Sequence, residues 1–264
     1  MKFKGYTIVS DMDGTLLNSR GKLSEEYVQA IGEFINEGGC FTVATGRMLP
    51  SVERFIERLQ VNLPVILYNG TKIYDFNSRE VIFEDFLEED RKEIIKKIKV
   101  DNPTFGIEIY SDETVYIYQE CKYTSRFSKL GYEVIYNVDE SIFNKKWTKV
   151  LIIGEEEEID YLEENYHKLY EGGEIIRSGE RYLELVPGNT SKGKALKILC
   201  DKKKIDESKL ITIGDNMNDL DLISCGKGYC VQNGSARLKK EAKNFAVSND
   251  EHIIPFLLKE IEIL

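Results

Sequence analysis

The chain has 264 residues, 42% hydrophobic and 31% charged, with a formal net charge of −10. This is a globular composition, and the length allows one large α/β domain or a core with a smaller domain inserted. A diffuse negative field excludes sequence-independent binding to nucleic acid or anionic membranes, so any anion site must bring its own cations or helix N-termini.

Tyr6 to Ser10 is a short apolar run, expected as a strand buried on both faces. It is too brief, and too soon interrupted by Asp11, to be a signal peptide. Ser24 opens a helical pattern, with Glu25 and Glu26 at its start and apolar residues at Val28, Ile31, Phe34 and Ile35. Gly38 and Gly39 end it. Cys40 to Ala44 reads as a second strand, Pro50 to Leu59 as a second helix and Pro64 to Leu67 as a third strand. The alternation predicts a parallel sheet with right-handed crossovers.

From about Asp75 to Val186 the pattern changes. A helix over Leu87 to Lys99 precedes a hairpin of Phe105 to Tyr110 and Thr114 to Tyr118. A further helix, strands near Val134 and Val150, a helix from Glu155 to Tyr170 and a second hairpin follow, its strands Glu174 to Arg177 and Tyr182 to Val186. The run Glu155 to Glu158 sits at a helix start, where carboxylates complement the dipole. The α/β pattern then resumes: helix Lys192 to Cys200, strand Leu210 to Ile213, helix Met217 to Ser224, strand Gly228 to Val231, helix Ala236 to Ala242, a short strand near Phe245 and a helix from Glu251. The expected organisation is an α/β core of residues 1–78 and 187–264, interrupted by an inserted α+β domain of residues 79–186.

No apolar run approaches the roughly 20 residues that span a bilayer. The five cysteines are odd in number, widely spread and without metal-ligand spacing, as expected of reduced thiols in a cytoplasmic protein. His167 and His252 stand alone.

Chemistry gathers at strand ends. Asp11-Met12-Asp13-Gly14-Thr15 follows the first strand, and ligands of open α/β sheets bind beyond the carboxyl ends of strands. Two carboxylates two residues apart there favour a shared cation, although the segment alone also reads as an ordinary Asp-Gly turn. Thr45-Gly46-Arg47 follows the second strand and precedes a helix, where a hydroxyl and backbone N–H groups can cradle phosphate. Lys192 opens a helix, an unfavourable place for a cation unless an anion lies nearby. Gly214-Asp215-Asn216-Met217-Asn218-Asp219 follows another strand, with Asp215 and Asp219 on one helical face.

Together these segments resemble the four ordered motifs of the haloacid dehalogenase superfamily, and the resemblance covers essentially the whole chain. The insertion between the second and third motifs matches the position of the type C2 cap. Ala44-Thr45-Gly46-Arg47, Asn69-Gly70, Ser191-Lys192-Gly193 and Ser248-Asn249-Asp250-Glu251 look like the Cof-type branch. One segment departs: Val231-Gln232-Asn233-Gly234 stands where the branch usually has a Met-Gly-Asn-Ala-like sequence, placing Gln232 near the site mouth and leaving substrate preference open.

The resemblance implies a Rossmann-like parallel-sheet core and a Mg²⁺-dependent phosphomonoesterase. Asp11 would be the nucleophile that forms an aspartyl-phosphate, and Asp13 the general acid and base. Mg²⁺ would be held by Asp11, the backbone carbonyl of Asp13, and Asp215. Thr45, Gly46, Arg47, Lys192 and Asn218 would bind the phosphoryl group, with Asp219 orienting Lys192 or a metal-bound water. The cap would close over the site and choose the leaving group, with Tyr110, Tyr116, Tyr118, Arg177 and Tyr182 as candidates, although alternating tyrosines also serve sheet packing. The expected partner is a small phosphorylated metabolite, a sugar phosphate before a flavin or pyridoxal phosphate, for a monomer or homodimer. The alternatives are a phosphohexomutase using the same aspartyl-phosphate and a non-catalytic sugar-phosphate sensor.

Overall fold

A computed structural model describes residues 1–124, 133–170 and 173–263. In chain order its elements begin with β1 (Thr7–Ser10), α1 (Glu25–Asn36), β2 (Cys40–Val43), α2 (Leu49–Leu59), β3 (Val65–Leu67), β4 (Lys72–Asp75) and β5 (Glu80–Glu84). They continue with α3 (Glu89–Asp101), β6 (Gly106–Ser111), β7 (Thr114–Gln119), β8 (Val134–Ile135), β9 (Lys149–Ile153), α4 (Glu156–Tyr170), β10 (Ile175–Gly179) and β11 (Tyr182–Leu185). The last are α5 (Lys192–Lys203), β12 (Leu210–Gly214), β13 (Lys227–Cys230), α6 (Ala236–Glu241), β14 (Asn244–Phe245) and α7 (Ile253–Ile263). The helix expected between Tyr118 and Val134 falls mostly on residues outside those described.

The chain divides into two compact units. The first comprises Met1–Arg47, Val52–Glu84 and Ser191–Leu264, and the second Met48–Ser51 and Asp85–Thr190. The boundary expected after residue 78 falls in the β4–β5 turn, and β5 belongs to the first unit.

The first unit is built on a parallel sheet of order β14-β13-β12-β1-β2. All four residues of β1 are buried, as a strand covered on both faces requires. A second, antiparallel sheet runs β3-β4-β5; the expected elements lacked β4 and β5. Val9, Ala44, Ile66, Ala195, Leu196 and Leu199 form one apolar cluster that locks α5 to the strands. Each aliphatic side chain buried in this way contributes roughly 1.5–3 kcal/mol. In α1 the buried stripe is Tyr27, Ile31 and Phe34, at helical spacing, rather than one including Val28. The Tyr27 hydroxyl donates to the Glu251 carbonyl and accepts from the Ile253 amide, tying α1 to the start of α7.

Where a helix was expected from Met217 to Ser224, the chain makes a tight 3-10 turn, Met217–Asp219, followed by irregular turns. The Asp219 carboxylate folds back to accept the amides of Asp215 and Asn216, and this closes a single turn instead of starting a regular helix.

The second unit has a six-stranded sheet of order β10-β11-β9-β6-β7-β8, antiparallel except for the β7–β8 pair. Ile95 and Ile98 of α3 and Ile159, Leu162 and Tyr166 of α4 pack on Ile107, Ile109, Val150, Ile152 and Leu183 of the sheet. Trp147 is fully buried in this core, and its indole N–H donates to the Ile142 carbonyl at 2.8 Å. No helix among the described residues is long and apolar enough to cross a membrane.

Candidate active site

The carboxyl ends of β1 and β12 are neighbours in the parallel sheet, so the loops that leave them meet. Asp11 follows β1, and its amide donates to the Ile213 carbonyl of β12 at 2.9 Å. Gly14 turns this loop with φ +80°, and a Cβ there would lie 2.5 Å from Asp215 Oδ2. Both facts require glycine, and both let the Asp11–Thr15 loop press against Asp215.

Lys192 is the first residue of α5, and Ser191 caps that helix by accepting from the Lys194 amide at 3.2 Å. The anion that a lysine needs in this position is present twice. Its Nζ donates to Asp11 Oδ1 and to Asp219 Oδ1, each at 2.6 Å, and all three side chains are buried. Both Asp219 oxygens are thereby engaged, since its Oδ2 takes the Asp215 and Asn216 amides at 2.9 and 3.2 Å. Asp11 is not saturated: its Oδ2 is buried with no hydrogen-bond partner among the described residues, as is the Thr15 hydroxyl.

Carboxylate oxygens of Asp11, Asp215 and Asp219 lie within 4.8 Å of one another. Three carboxylates, those of Asp11 and Asp219 buried and that of Asp215 half-buried, face the one ammonium of Lys192. Burial pushes the Asp11 carboxyl well above its ordinary range; Lys192 pulls it down, while Asp219, Asp215 and Asp13 push it further up. Asp215 is pushed up to about 7, first by burial and then by the charge of Asp219. At Lys192 burial opposes the charge, but Asp11 and Asp219 outweigh it and hold the ammonium above its ordinary range. The cluster is thus short of positive charge, and its oxygen donors could hold a divalent cation.

Thr45 and Gly46 follow β2. The Thr45 hydroxyl accepts from the Arg47 amide at 3.1 Å, and its carbonyl accepts from the Asn69 amide at 3.0 Å. Asn218 donates from Nδ2 to Asn69 Oδ1 at 3.1 Å. Arg47 and Asp13 meet each other: Nε donates to Oδ2 at 2.7 Å and Nη2 to Oδ1 at 2.6 Å, with the guanidinium 5.1 Å from the centre of the Phe55 ring.

The structure therefore brings Asp11, Lys192, Asp215 and Asp219 into one cluster, pairs Asp13 with Arg47, and joins the Thr45 loop to Asn218 through Asn69. Three asparagines received no role from sequence reasoning. Asn69 is one. Asn233 donates to the Gly14 carbonyl at 2.9 Å and accepts from the Asn249 amide at 2.8 Å. Asn249 donates to the Leu17 carbonyl at 3.0 Å, so these two brace the Asp11–Thr15 loop. The signal was visible as Asn69-Gly70 and Ser248-Asn249-Asp250-Glu251, but only as resemblance. Gln232 is exposed, and its amide donates to the Val247 carbonyl.

In the second unit, Tyr118 belongs to the apolar core. Arg177 is held by Asp160 at 2.8 Å and Glu163 at 3.2 Å. Tyr110 donates to Glu108 at 2.9 Å. Tyr116 packs against the core and Tyr182 is half-buried. His252 is exposed and bonded to Glu26. The five cysteines are free.

Comparison with known proteins gives the same frame. A provisionally named phosphatase of Streptococcus pyogenes serotype M6 is 29% identical over 92% of this chain and 93% of its own. The 5-amino-6-(5-phospho-D-ribitylamino)uracil phosphatase YwtE of Bacillus subtilis is 25% identical over 96% of this chain and 97% of its own. The crystal structure of TM0651 from Thermotoga maritima superposes with a TM-score of 0.80 at 27% identity, covering 97% of each chain. Residues 8–257, nearly the whole chain, match the haloacid dehalogenase-like hydrolase model, and with the carboxylate-rich end of a parallel sheet this makes the chain a member of the haloacid dehalogenase-like hydrolase family.

Proposed function

We propose that this enzyme is a Mg²⁺-dependent phosphomonoesterase that hydrolyses a small phosphorylated metabolite through an aspartyl-phosphate on Asp11. The observation that carries the reading is the buried cluster in which Lys192 bridges Asp11 and Asp219 while Asp11 Oδ2 has no hydrogen-bond partner among the described residues. The names of the two relatives agree with it.

Both Asp219 oxygens are engaged by Lys192 and two amides, which favours Asp11 and Asp215, with the Asp13 backbone carbonyl, as the groups that would hold Mg²⁺. Bound there, Mg²⁺ offsets the repulsion between the Asp11 carboxylate and the phosphate dianion. In the first step an Asp11 oxygen bonds to phosphorus as the phosphorus–oxygen bond to the leaving group breaks, and Asp13 donates its proton to the departing oxygen. In the second step water attacks the same phosphorus, Asp13 takes its proton, and Asp11 departs with inorganic phosphate released. Lys192, the Thr45 hydroxyl, the Gly46 amide and Asn218 hold the phosphoryl oxygens while charge redistributes. Arg47 acts beside them, through phosphate or through Asp13. Sugar phosphates lead as substrates, and the name of the Bacillus subtilis relative makes ribityl phosphates the first alternative.

The test is a phosphate-release assay on para-nitrophenyl phosphate and a metabolite panel, with Mg²⁺ or excess chelator. Mg²⁺-dependent release that Asp11→Asn abolishes is expected. Wild-type turnover by Asp11→Asn sinks the covalent route. Release that requires a bisphosphate activator decides for a mutase, and binding of sugar phosphates without release decides for a sensor.

A further inference from the structure

We infer that the turn Tyr68-Asn69-Gly70 is the device that sets the phosphoryl site, and that the Asn69 side chain is a positioning group acting through Asn218. This deepens the phosphatase reading and rests on it.

The backbone of this turn is unusual. Tyr68, Asn69 and Gly70 all have positive φ, at +51°, +56° and +103°. Such a run is uncommon outside glycine, Asn tolerates it best among the others, and a tyrosine there is an outlier held by its surroundings. Those surroundings are the loops assigned to phosphate. The Tyr68 amide donates to the Arg47 carbonyl at 3.1 Å, and the Asn69 amide to the Thr45 carbonyl at 3.0 Å. A Cβ on Gly46 would stand 3.0 Å from Asn69 Nδ2, so the Asn69 side chain lies flat against that glycine. A Cβ on Gly70 would stand 2.2 Å from the Ser191 carbonyl oxygen, which precedes Lys192. The Asn69 side chain is fully buried, and its Oδ1 receives the Asn218 amide. One turn therefore touches the Thr45 loop, the Lys192 helix start and Asn218.

The chemistry follows from the shared amide. With one N–H of Asn218 fixed on Asn69, the amide plane of Asn218 is fixed and its second N–H has one direction left. A donor aimed before substrate arrives needs no reorganisation during transfer. Displacements of an ångström in such groups change rates by about 100-fold.

Asn69→Gly separates this role from a merely structural one. Glycine takes positive φ freely, so the turn keeps its shape and loses only the side chain. The variant, Asn218→Ala and the double variant are compared with wild type in the full chain with Mg²⁺. The expected result for Asn69→Gly is a folded protein melting a few degrees below wild type and a kcat/KM on para-nitrophenyl phosphate lower by about 10- to 100-fold. Inhibition by orthovanadate and inorganic phosphate weakens in parallel. The double variant should fall no more than about twofold below Asn218→Ala, because the two residues act as one unit. Wild-type kcat/KM in Asn69→Gly overturns the proposal, and so do losses that multiply in the double variant. Failure of Asn69→Gly to fold also overturns it, by assigning Asn69 to stability alone. A wild type that neither hydrolyses the ester nor binds vanadate overturns the phosphatase reading itself, a separate failure.

Discussion

Two buried lysines, one in each unit, separate a structural cation from a site cation. Lys92 of α3 has a side chain 3% exposed, and Lys192 of α5 one 1% exposed. The ammonium of Lys92 has three acceptors: Glu89 at 2.7 Å and the carbonyls of Phe143 and Lys145 at 3.1 and 2.8 Å. Three N–H donors meet three acceptors, and the neighbourhood is closed. Lys192 meets two carboxylates, a third carboxylate stands nearby, and one Asp11 oxygen has no hydrogen-bond partner among the described residues. Burial alone does not mark function; an unclosed account of donors, acceptors and charge does.

The largest expected effect sharpens this contrast. Lys192→Met should lower kcat/KM by at least about 100-fold, the scale of one lost oxyanion donor. It should also destabilise the metal-free protein by roughly 3–5 kcal/mol, since Asp11 and Asp219 lose their shared counter-charge. Lys92→Met should leave kcat/KM within about threefold while stability falls by roughly 1–3 kcal/mol, the cost of leaving carbonyls unpaired. Steady-state kinetics and urea unfolding of both variants measure this. A folded Lys92→Met with Lys192-like loss of turnover would break the comparison.

How much of this was legible in the sequence depends on what each feature rests on. The strands and helices that position Asp11, Thr45, Lys192 and Asp215 were readable because buried parallel strands are short apolar runs with turn residues after them. The antiparallel pair β4 and β5 was not, because Lys72 and Asp75, and Glu80 and Glu84, bracket apolar runs of only two and three residues; Lys72 and Glu84 meet across the sheet as an ion pair at 2.8 Å. Met217 to Ser224 reads as a helix but folds as a single turn followed by irregular chain. Helical spacing of Asp215 and Asp219 was visible, but the return of the Asp219 carboxylate to its own loop is a tertiary choice made with Lys192. Asn69 shows in the sequence only as part of Asn69-Gly70, without a role, since its contacts are with residues more than 20 and nearly 150 positions away.

A smaller effect probes the charge imbalance by pH. The ordinary carboxyl value for Asp215 is 3.8, and burial and the charge of Asp219 push it up to about 7 in the fold. Between those values the folded protein keeps a proton that the unfolded chain releases. The contribution of this one group to metal-free stability is therefore full at low pH and is lost as pH rises from about 4 to about 7. Mg²⁺ needs the ionised carboxylates, so its stabilisation grows over the same window, reaching about 2.7 kcal/mol at 100 times its Kd. Calorimetry at pH 5 and pH 8, with Mg²⁺ or chelator, should show a larger Mg²⁺ shift in Tm at pH 8. Asp215→Asn should remove most of the difference. Equal shifts at both pH values would mean that the ion does not use this cluster.

The smallest effect concerns the other charged pair, and only some substrates should register it. Asp13 and Arg47 hold each other in a two-point bond, with Asp13 half-exposed and Arg47 braced on Phe55. Arg47 can serve the reaction by gripping phosphate, or by aiming Asp13 at the departing oxygen. A para-nitrophenolate leaves without needing a proton, whereas an alkoxide does not. If Arg47 aims Asp13, Arg47→Ala should cut kcat on an alkyl phosphate by about 10-fold and change para-nitrophenyl phosphate by less than about threefold, with KM nearly constant. If Arg47 grips phosphate, both substrates suffer alike and KM rises. The ratio of the two losses, measured on one enzyme preparation, decides between them, because the phosphoryl group is common to both substrates and only the leaving oxygen differs.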